Sequence, residues 1–140
     1  MSVQIQPIPQ GDYIPARRHQ DVIYTSGMTP RLNGVLQHLG PVRKDDAPEA
    51  HRAAVELACN NALTAARALL APGESLGIIL SLTVFIAAEP GFSKHSVLAD
   101  FASALLRREL GPAGIGARAA VGVATLPGNA PVEIQLIAAL

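Results

Sequence analysis

The chain lacks several features that point to particular classes of protein. Of its 140 residues, one is cysteine, none is tryptophan and 4% are aromatic. A lone cysteine cannot form an intrachain disulfide, which suits the reducing cytoplasm. Proteins that bind single-stranded nucleic acid stack its bases on aromatic side chains, and this chain has few of them. Eleven basic residues balance eleven acidic ones, so no overall field attracts nucleic acid or an anionic membrane.

Long hydrophobic segments and leader patterns are also missing. The longest apolar stretch, LGIILSLTVFIAA, runs over 76–88, whereas spanning a bilayer takes about 20 residues. The N-terminal MSVQIQPIPQGDY has no basic start followed by an apolar core, so we expect no signal peptide. With 49% hydrophobic residues, the chain can bury a core, and its length favours one domain over 1–140.

Motifs for common cofactors and nucleophiles are absent. There is no Walker-type loop, and GPAGIGA follows a helix-like segment instead of the strand that a dinucleotide fingerprint needs. The four histidines show no pairing with each other or with Cys59 at metal-ligand spacing. Ser26, in TSG, lacks the flanking glycines of a nucleophile elbow and favours a turn before Gly27. We therefore expect neither a metal nor an organic cofactor.

The first third of the chain predicts a hairpin, a loop and the start of a helix. YIPARRHQDVIYTSG is rich in β-branched and aromatic residues and predicts a β-hairpin. The prolines and glycines between Met28 and Lys44 predict a loop with one short strand. Asp46 and Glu49, three positions apart with Pro48 in the first turn, predict a capping box at a helix N-terminus.

Two amphipathic helices and three strands follow. Apolar residues recur at helical spacing from Ala54 to Leu70. The other side of that helix carries Glu56, Asn60, Asn61 and Arg67. The continuous apolar run over 76–88 predicts a central strand covered on both faces. A second helix is predicted from Ser93 to Leu110, with Val97, Leu98, Phe101 and Leu105 on one side, and Gly111 and Pro112 end it. ARAAVGV and PVEIQLIAAL predict the last two strands.

The element order β-β-α-β-α-β-β favours an α+β fold with both helices on one face of a mixed sheet. Alanine, valine, isoleucine and leucine dominate the sheet, so its other face also needs cover. We expect a second copy of the chain to supply that cover.

Two charged residues stand in the apolar C-terminal strands. Arg118 opens one strand, where its guanidinium offers a planar, two-pronged donor to a carboxylate. If Val132 and Ile134 face one side, Glu133 faces the other, where an interface cleft would desolvate it and let it exchange protons or orient water. Alternatively, Arg118 and Glu133 pair across adjacent strands as an edge salt bridge. The residues alone leave both interpretations open.

Four segments together resemble a known family. GDYIPA, VIYTSGMTP, LTVFIA and ARAAVGVATLPGNAPVEIQLIA, in this order, closely resemble the Rid family of reactive-intermediate imine deaminases, which is also called YjgF-like. The resemblance extends from Gly11 to Leu140. Its most specific element is Arg118, then Val-x-Val-x-x-Leu-Pro, then Glu133 fifteen positions after the arginine (133 − 118 = 15).

The resemblance implies a chorismate-mutase-like α+β fold that assembles as a homotrimer, with sites between neighbouring subunits. It also implies hydrolysis of 2-aminoacrylate, 2-iminobutanoate, 2-iminopropanoate and similar enamine or imine acids to 2-keto acids and ammonia. Archetypal members need no metal or organic cofactor for this reaction. The partner would therefore be a small carboxylate substrate in the cytoplasm, without nucleic acid or membrane.

The resemblance assigns roles to single residues. Arg118 matches the arginine that binds the substrate carboxylate, and Glu133 matches the glutamate that handles water or the proton at the imine carbon. The residues that would line the cleft and bind substrate are Tyr13, Ser26, Gly27 and Ala120. Ala120 stands where many close members have a cysteine or a similar polar residue, and Ser96 stands where they have an asparagine. These departures bear on which substrate fits.

Three functional classes stay open at this point. The first is a deaminase, acting on general amino-acid-derived intermediates or on a pathway substrate such as an aminomuconate. The second is a ligand-binding or regulatory trimer that keeps the carboxylate pocket without turnover. The third is the ribonuclease that the family's other name, L-PSP endoribonuclease, suggests, against which the neutral charge and scarce aromatics argue.

Overall fold

A computed structural model describes residues 5–140, so the first four residues of the N-terminal stretch discussed above lie outside the described residues. Two α-helices lie against one five-stranded sheet. The elements in chain order are β1 (Ala16–His19), β2 (Val22–Thr25), β3 (Arg31–Leu32), β4 (Val35–Leu36), α1 (Arg52–Arg67), β5 (Ile78–Ala87), α2 (His95–Leu110), β6 (Ala117–Val123) and β7 (Val132–Ala139). The predicted α+β fold with two helices on a mixed sheet is confirmed.

The sheet has the strand order β1-β2-β7-β5-β6. β5 runs parallel to β6 and antiparallel to β7, and the other neighbouring strands are antiparallel. The predicted hairpin is β1 with β2. The segment predicted to be a loop with one short strand holds two, because β3 and β4 pair as a separate small hairpin.

Within one chain the helices cover one face of β5, and cover of the other face by a second copy stays a prediction. Leu82, Val84 and Ile86 are buried in the core between the sheet and the helices. Ile78 is 43% exposed and Leu80 is 41% exposed. Because side chains alternate between the two faces of a strand, the sheet has a helix-covered face and an open face.

The predicted capping box is wrong. The Asp46 carboxylate accepts a hydrogen bond from the backbone N–H of Arg43 at 2.9 Å and lies 2.8 Å from Nε2 of His51. The chain first makes a short 3₁₀ turn over Pro48–His51, and α1 begins only at Arg52, without a side-chain cap. The carboxylate therefore holds the loop in front of the helix and does not cap it.

α1 buries one polar residue that the sequence pattern assigns to the solvent side. Asn61 is 8% exposed, and its Nδ2 donates to the carbonyl oxygens of Thr29 at 3.2 Å and Arg31 at 2.8 Å. The same loop is tied to β7 by the bridge between Met28 and Ile134. Asn61 thus helps to fix the segment that follows β2.

α2 ends where the sequence predicts. Gly111 has a φ of 69°, a backbone conformation that favours glycine. Leu98 and Leu105 are buried, but Val97, which was predicted to accompany them, is 44% exposed. Within residues 5–140, neither helix has the length and apolar character needed to cross a membrane.

We predict that Asn61→Ala lowers the free energy of unfolding by about 1–3 kcal/mol, because two carbonyl oxygens lose their donor in a largely buried setting. Asn60→Ala is the matched control, since it makes the same change in helix propensity one position earlier. That control should change the free energy of unfolding by less than about 0.5 kcal/mol. Urea denaturation of both variants measures the difference, and equal losses would contradict the role of Asn61.

Candidate functional site

Glu133 lies on the open face of the sheet. It pairs in register with Phe85, whose neighbours on β5 face the helices, so both side chains point away from the helices. The side chain is half-buried, and this burial raises the pKa of its carboxyl group. Gly27 lies directly against it, because a Cβ built on Gly27 would be 2.5 Å from Oε2 of Glu133. Glycine at position 27 therefore leaves room for the carboxylate.

Tyr13 and Ser26 lie near this part of the sheet. Oγ of Ser26 donates to the carbonyl of Ile14 at 2.6 Å, so the hydroxyl serves the turn, as its sequence context predicts. The Tyr13 side chain is 46% exposed, and its hydroxyl accepts a hydrogen bond from the N–H of Gln10 at 3.1 Å. Tyr13 and Gly27 line the same small cavity of about 40 Å³. The structure thus brings Tyr13, Ser26, Gly27 and Glu133 to one region.

Arg118 lies on the edge strand β6 and reaches across to α2. Its Nη1 donates to Oδ1 of Asp100 at 2.7 Å and to Oγ of Ser103 at 3.0 Å, and its Nη2 donates to Oγ of Ser96 at 2.8 Å. Ser96, Asp100 and Ser103 follow at steps of four and three, so they share one face of the helix. The Arg118 side chain is 23% exposed and that of Asp100 is 68% exposed. Solvent therefore screens this ion pair.

An open groove extends from Arg118 along β6. Arg118, Ala120 and Gly122 pair in register with β5 residues that face the helices, so they line the same side of β6. His95, at the start of α2, also lines this groove. Its Nε2 lies so close to β6 that a Cβ on Gly122 would be 2.7 Å away. The structure thus brings Arg118 and Ala120 together in a second region, with Ser96 beside them.

Arg118 and Glu133 do not meet within one chain. β6 and β7 pair with opposite edges of β5. Arg118 is paired in register with Leu82, on the helix side, whereas Glu133 is paired with Phe85, on the open side. The alternative of an edge salt bridge between them is therefore wrong, because their strands are not adjacent and Arg118 pairs with Asp100 instead.

Sequence reasoning missed His95, which lines the groove, and two α2 residues that contact Arg118, Asp100 and Ser103. The sequence alone assigns no role to Asp100. Its spacing from Ser96 does predict a shared helix face, but nothing in the sequence states that this face meets the arginine of a strand some eighteen positions later (118 − 100 = 18). The packing of α2 on β6 supplies that information.

Within residues 5–140, neither the cysteine nor the possible metal ligands form a further reactive site. Cys59 is fully buried, and burial raises the pKa of its thiol to about 12, so it is not the ionised thiolate that acts as a nucleophile. Across the described range, 5–140, no three histidine, cysteine, aspartate or glutamate residues gather in a way that could hold a metal ion.

Comparison with known proteins adds to this geometry. The family model for endoribonuclease L-PSP matches residues 4–140. A protein of unknown function from Agrobacterium tumefaciens, Atu1372, is 33% identical with a TM-score of 0.85, and the match covers 95% of this chain and 85% of that one. A candidate endoribonuclease from Shewanella oneidensis MR-1 is 27% identical with a TM-score of 0.88, and the match covers 100% and 93%.

A third solved structure is that of Escherichia coli TdcF with bound serine. It is 23% identical to this chain with a TM-score of 0.72, and the match covers 99% of this chain and 96% of TdcF. At this identity the likeness shows the fold alone. No curated protein sequence matches the chain.

We predict that Glu133→Gln gains stability over the wild type as the pH rises. Because burial raises the pKa of the Glu133 carboxyl group, ionising it costs the folded state free energy. A larger fraction of the Glu133 carboxyl groups is protonated and neutral near about pH 4 than near about pH 7, where only the wild type must hold a half-buried charge. Urea unfolding at both pH values gives the difference. A stability difference that shrinks towards neutral pH would contradict the prediction.

Proposed function

The chain belongs to the endoribonuclease L-PSP family, which is YjgF-like, and on that premise we propose that it hydrolyses small enamine and imine carboxylic acids to 2-keto acids and ammonia. Substrates of the 2-aminoacrylate or 2-iminobutanoate type fit the proposal. The observation that carries it is the Arg118 guanidinium beside an open groove, combined with a half-buried carboxyl group of raised pKa, Glu133.

Arg118 binds the substrate carboxylate in this proposal. A guanidinium presents a planar fork of N–H donors that matches a carboxylate with two parallel hydrogen bonds. The groove beside it is open and is bordered by the small residues Ala120 and Gly122, so a small planar ligand can approach the β6 backbone. Positioning carries most of the catalytic effect here, because the iminium carbon is already electrophilic.

Glu133 exchanges protons with water and with the leaving nitrogen. It takes a proton from the attacking water as the C–O bond forms and the C=N electron pair moves to nitrogen, which gives a carbinolamine. It then returns the proton to the nitrogen, the C–N bond breaks as ammonia leaves, and the hydroxyl proton passes to this ammonia as the carbonyl forms. Iminium and water thus become a 2-keto acid and ammonium. A raised pKa suits this double role, since proton exchange is most efficient when the pKa lies near the working pH.

The two residues act in one site if two copies of the chain share it. They lie on opposite faces of the sheet within one chain. The open face also carries exposed apolar side chains, including Tyr24, Ile78 and Val121, and exposed apolar patches of this kind mark association surfaces. In a cyclic homotrimer, the Glu133 face of each subunit would meet the Arg118 groove of the next. The serine bound to Escherichia coli TdcF supports a small amino-acid-like ligand.

We predict that the wild type suppresses the trapping of 2-iminobutanoate or 2-aminoacrylate, generated in situ, by semicarbazide. Arg118→Ala should lower kcat/KM by about tenfold to a hundredfold, because charge-assisted hydrogen bonds to the carboxylate contribute about 1.5–3 kcal/mol. Its stability should fall by about 1–2 kcal/mol, because the ion pair with the exposed Asp100 contributes little and the hydrogen bonds to Ser96 and Ser103 contribute modestly.

The matched control is Arg67→Ala, which removes another exposed ion pair, the one with Glu109 at 3.2 Å. That variant should suppress trapping like the wild type. A wild type that leaves trapping unchanged would refute turnover of these substrates. Unimpaired turnover by Arg118→Ala would refute the role of the arginine.

We predict that two inactive variants restore activity when they share an oligomer. Arg118→Ala and Glu133→Gln are mixed in denaturant and refolded together. If neighbouring subunits supply the arginine and the glutamate, about one quarter of the sites in a random, equal mixture combine both native residues. Each variant refolded alone is the control. If the mixture is no more active than the separate variants, both residues of a working site come from one chain. That result would refute the shared site.

A further inference from the structure

The guanidinium of Arg118 is already occupied by groups of α2. Nη1 donates to the Asp100 carboxylate and the Ser103 hydroxyl, and Nη2 donates to the Ser96 hydroxyl and lies 3.5 Å from the Ser96 carbonyl oxygen. The two terminal nitrogens are the atoms that a carboxylate binds as a two-pronged partner. A ligand carboxylate therefore binds this fork only by replacing at least one of these acceptors.

Asp100 is the acceptor that gives way most easily. Its side chain is 68% exposed, and an exposed ion pair contributes only about 0–1 kcal/mol to stability. Water can solvate the carboxylate when it moves off the guanidinium. Asp100 nevertheless stays next to the ligand, because its backbone is fixed on α2 between the two serines that also contact Arg118.

The charge of the incoming ligand decides how well this exchange works. A ligand that carries only a carboxylate leaves two negative charges beside one guanidinium. A zwitterion inserts its carboxylate at Arg118 and its cationic nitrogen at Asp100, so each charge of the pair keeps an opposite partner. Both charged groups of such a ligand are attached through one carbon, and they can therefore reach two protein groups that are themselves in contact.

We propose that Asp100 binds the cationic nitrogen of the substrate, so that the Arg118–Asp100 pair selects zwitterionic 2-imino and 2-amino acids over 2-keto acids. The inference rests on the proposed function in one respect, namely that Arg118 holds the ligand carboxylate. It goes further by assigning a nitrogen-binding residue on α2. It also explains how product leaves, because a 2-keto acid has no cationic group for Asp100.

The test compares two stable ligands with the same carbon skeleton, L-2-aminobutanoate and 2-oxobutanoate, by calorimetric titration. We expect the wild type to bind the amino acid about tenfold more tightly than the keto acid, a difference of about 1.4 kcal/mol. Asp100→Asn should weaken binding of the amino acid about tenfold and leave binding of the keto acid unchanged or tighter. Opposite effects on the two ligands separate nitrogen binding from a merely structural role.

Ser103→Ala is the matched control, because it removes the neutral acceptor of the same Nη1 atom. It should leave the ratio of the two dissociation constants unchanged. If Asp100→Asn weakens both ligands equally, Asp100 only orients Arg118 and the inference is overturned while the proposed function stands. If it changes neither, the inference is also overturned. If Arg118→Ala binds both ligands as the wild type does, or the wild type binds neither, the assignment of Arg118 fails and the inference fails with it.

Discussion

The pairing of β5 with β6 on one edge and β7 on the other is the constraint on which the rest of the structure depends. Leu82, Val84 and Ile86 hold this register because they fill the core under the helices. A slip by one residue would turn every side chain of a strand to the opposite face. These apolar core side chains, which carry no reactive group, therefore fix the strand register. That register makes Arg118 face α2 and Glu133 face away from it.

The two carboxylates of the candidate site have different environments, and their environments suit different tasks. Glu133 is half-buried against Gly27, and burial raises its pKa. Asp100 is exposed and ion-paired with Arg118. A carboxyl group with a raised pKa can exchange a proton, whereas an exposed carboxylate can bind a cation by charge attraction. The fold thus makes an acid–base group and an ion-binding group from the same functional group.

Hydrophobic periodicity and chain breakers predicted the element order and the α+β class, because these signals are local in sequence. The errors arose where a residue's partner is distant or lies in an irregular segment. Asp46 holds its own loop instead of capping α1, and Asn61 is buried because the loop after β2 packs on it. Arg118 and Glu133 stood out as charges in apolar strands, family resemblance assigned their roles, and those roles stay predictions. Asp100 escaped notice because only tertiary packing brings α2 to β6.

The contact between His95 and Gly122 links two positions that are far apart in the chain. Any side chain at 122 would displace the imidazole from β6, and the imidazole packs edge-on against Phe92, with ring centroids 5.0 Å apart and the phenyl ring only 7% exposed. Substitution at one position therefore has to be accommodated at the other. In evolution the two should change together, and a bulky ring at 95 with glycine at 122 would mark the relatives that share the shape of this groove.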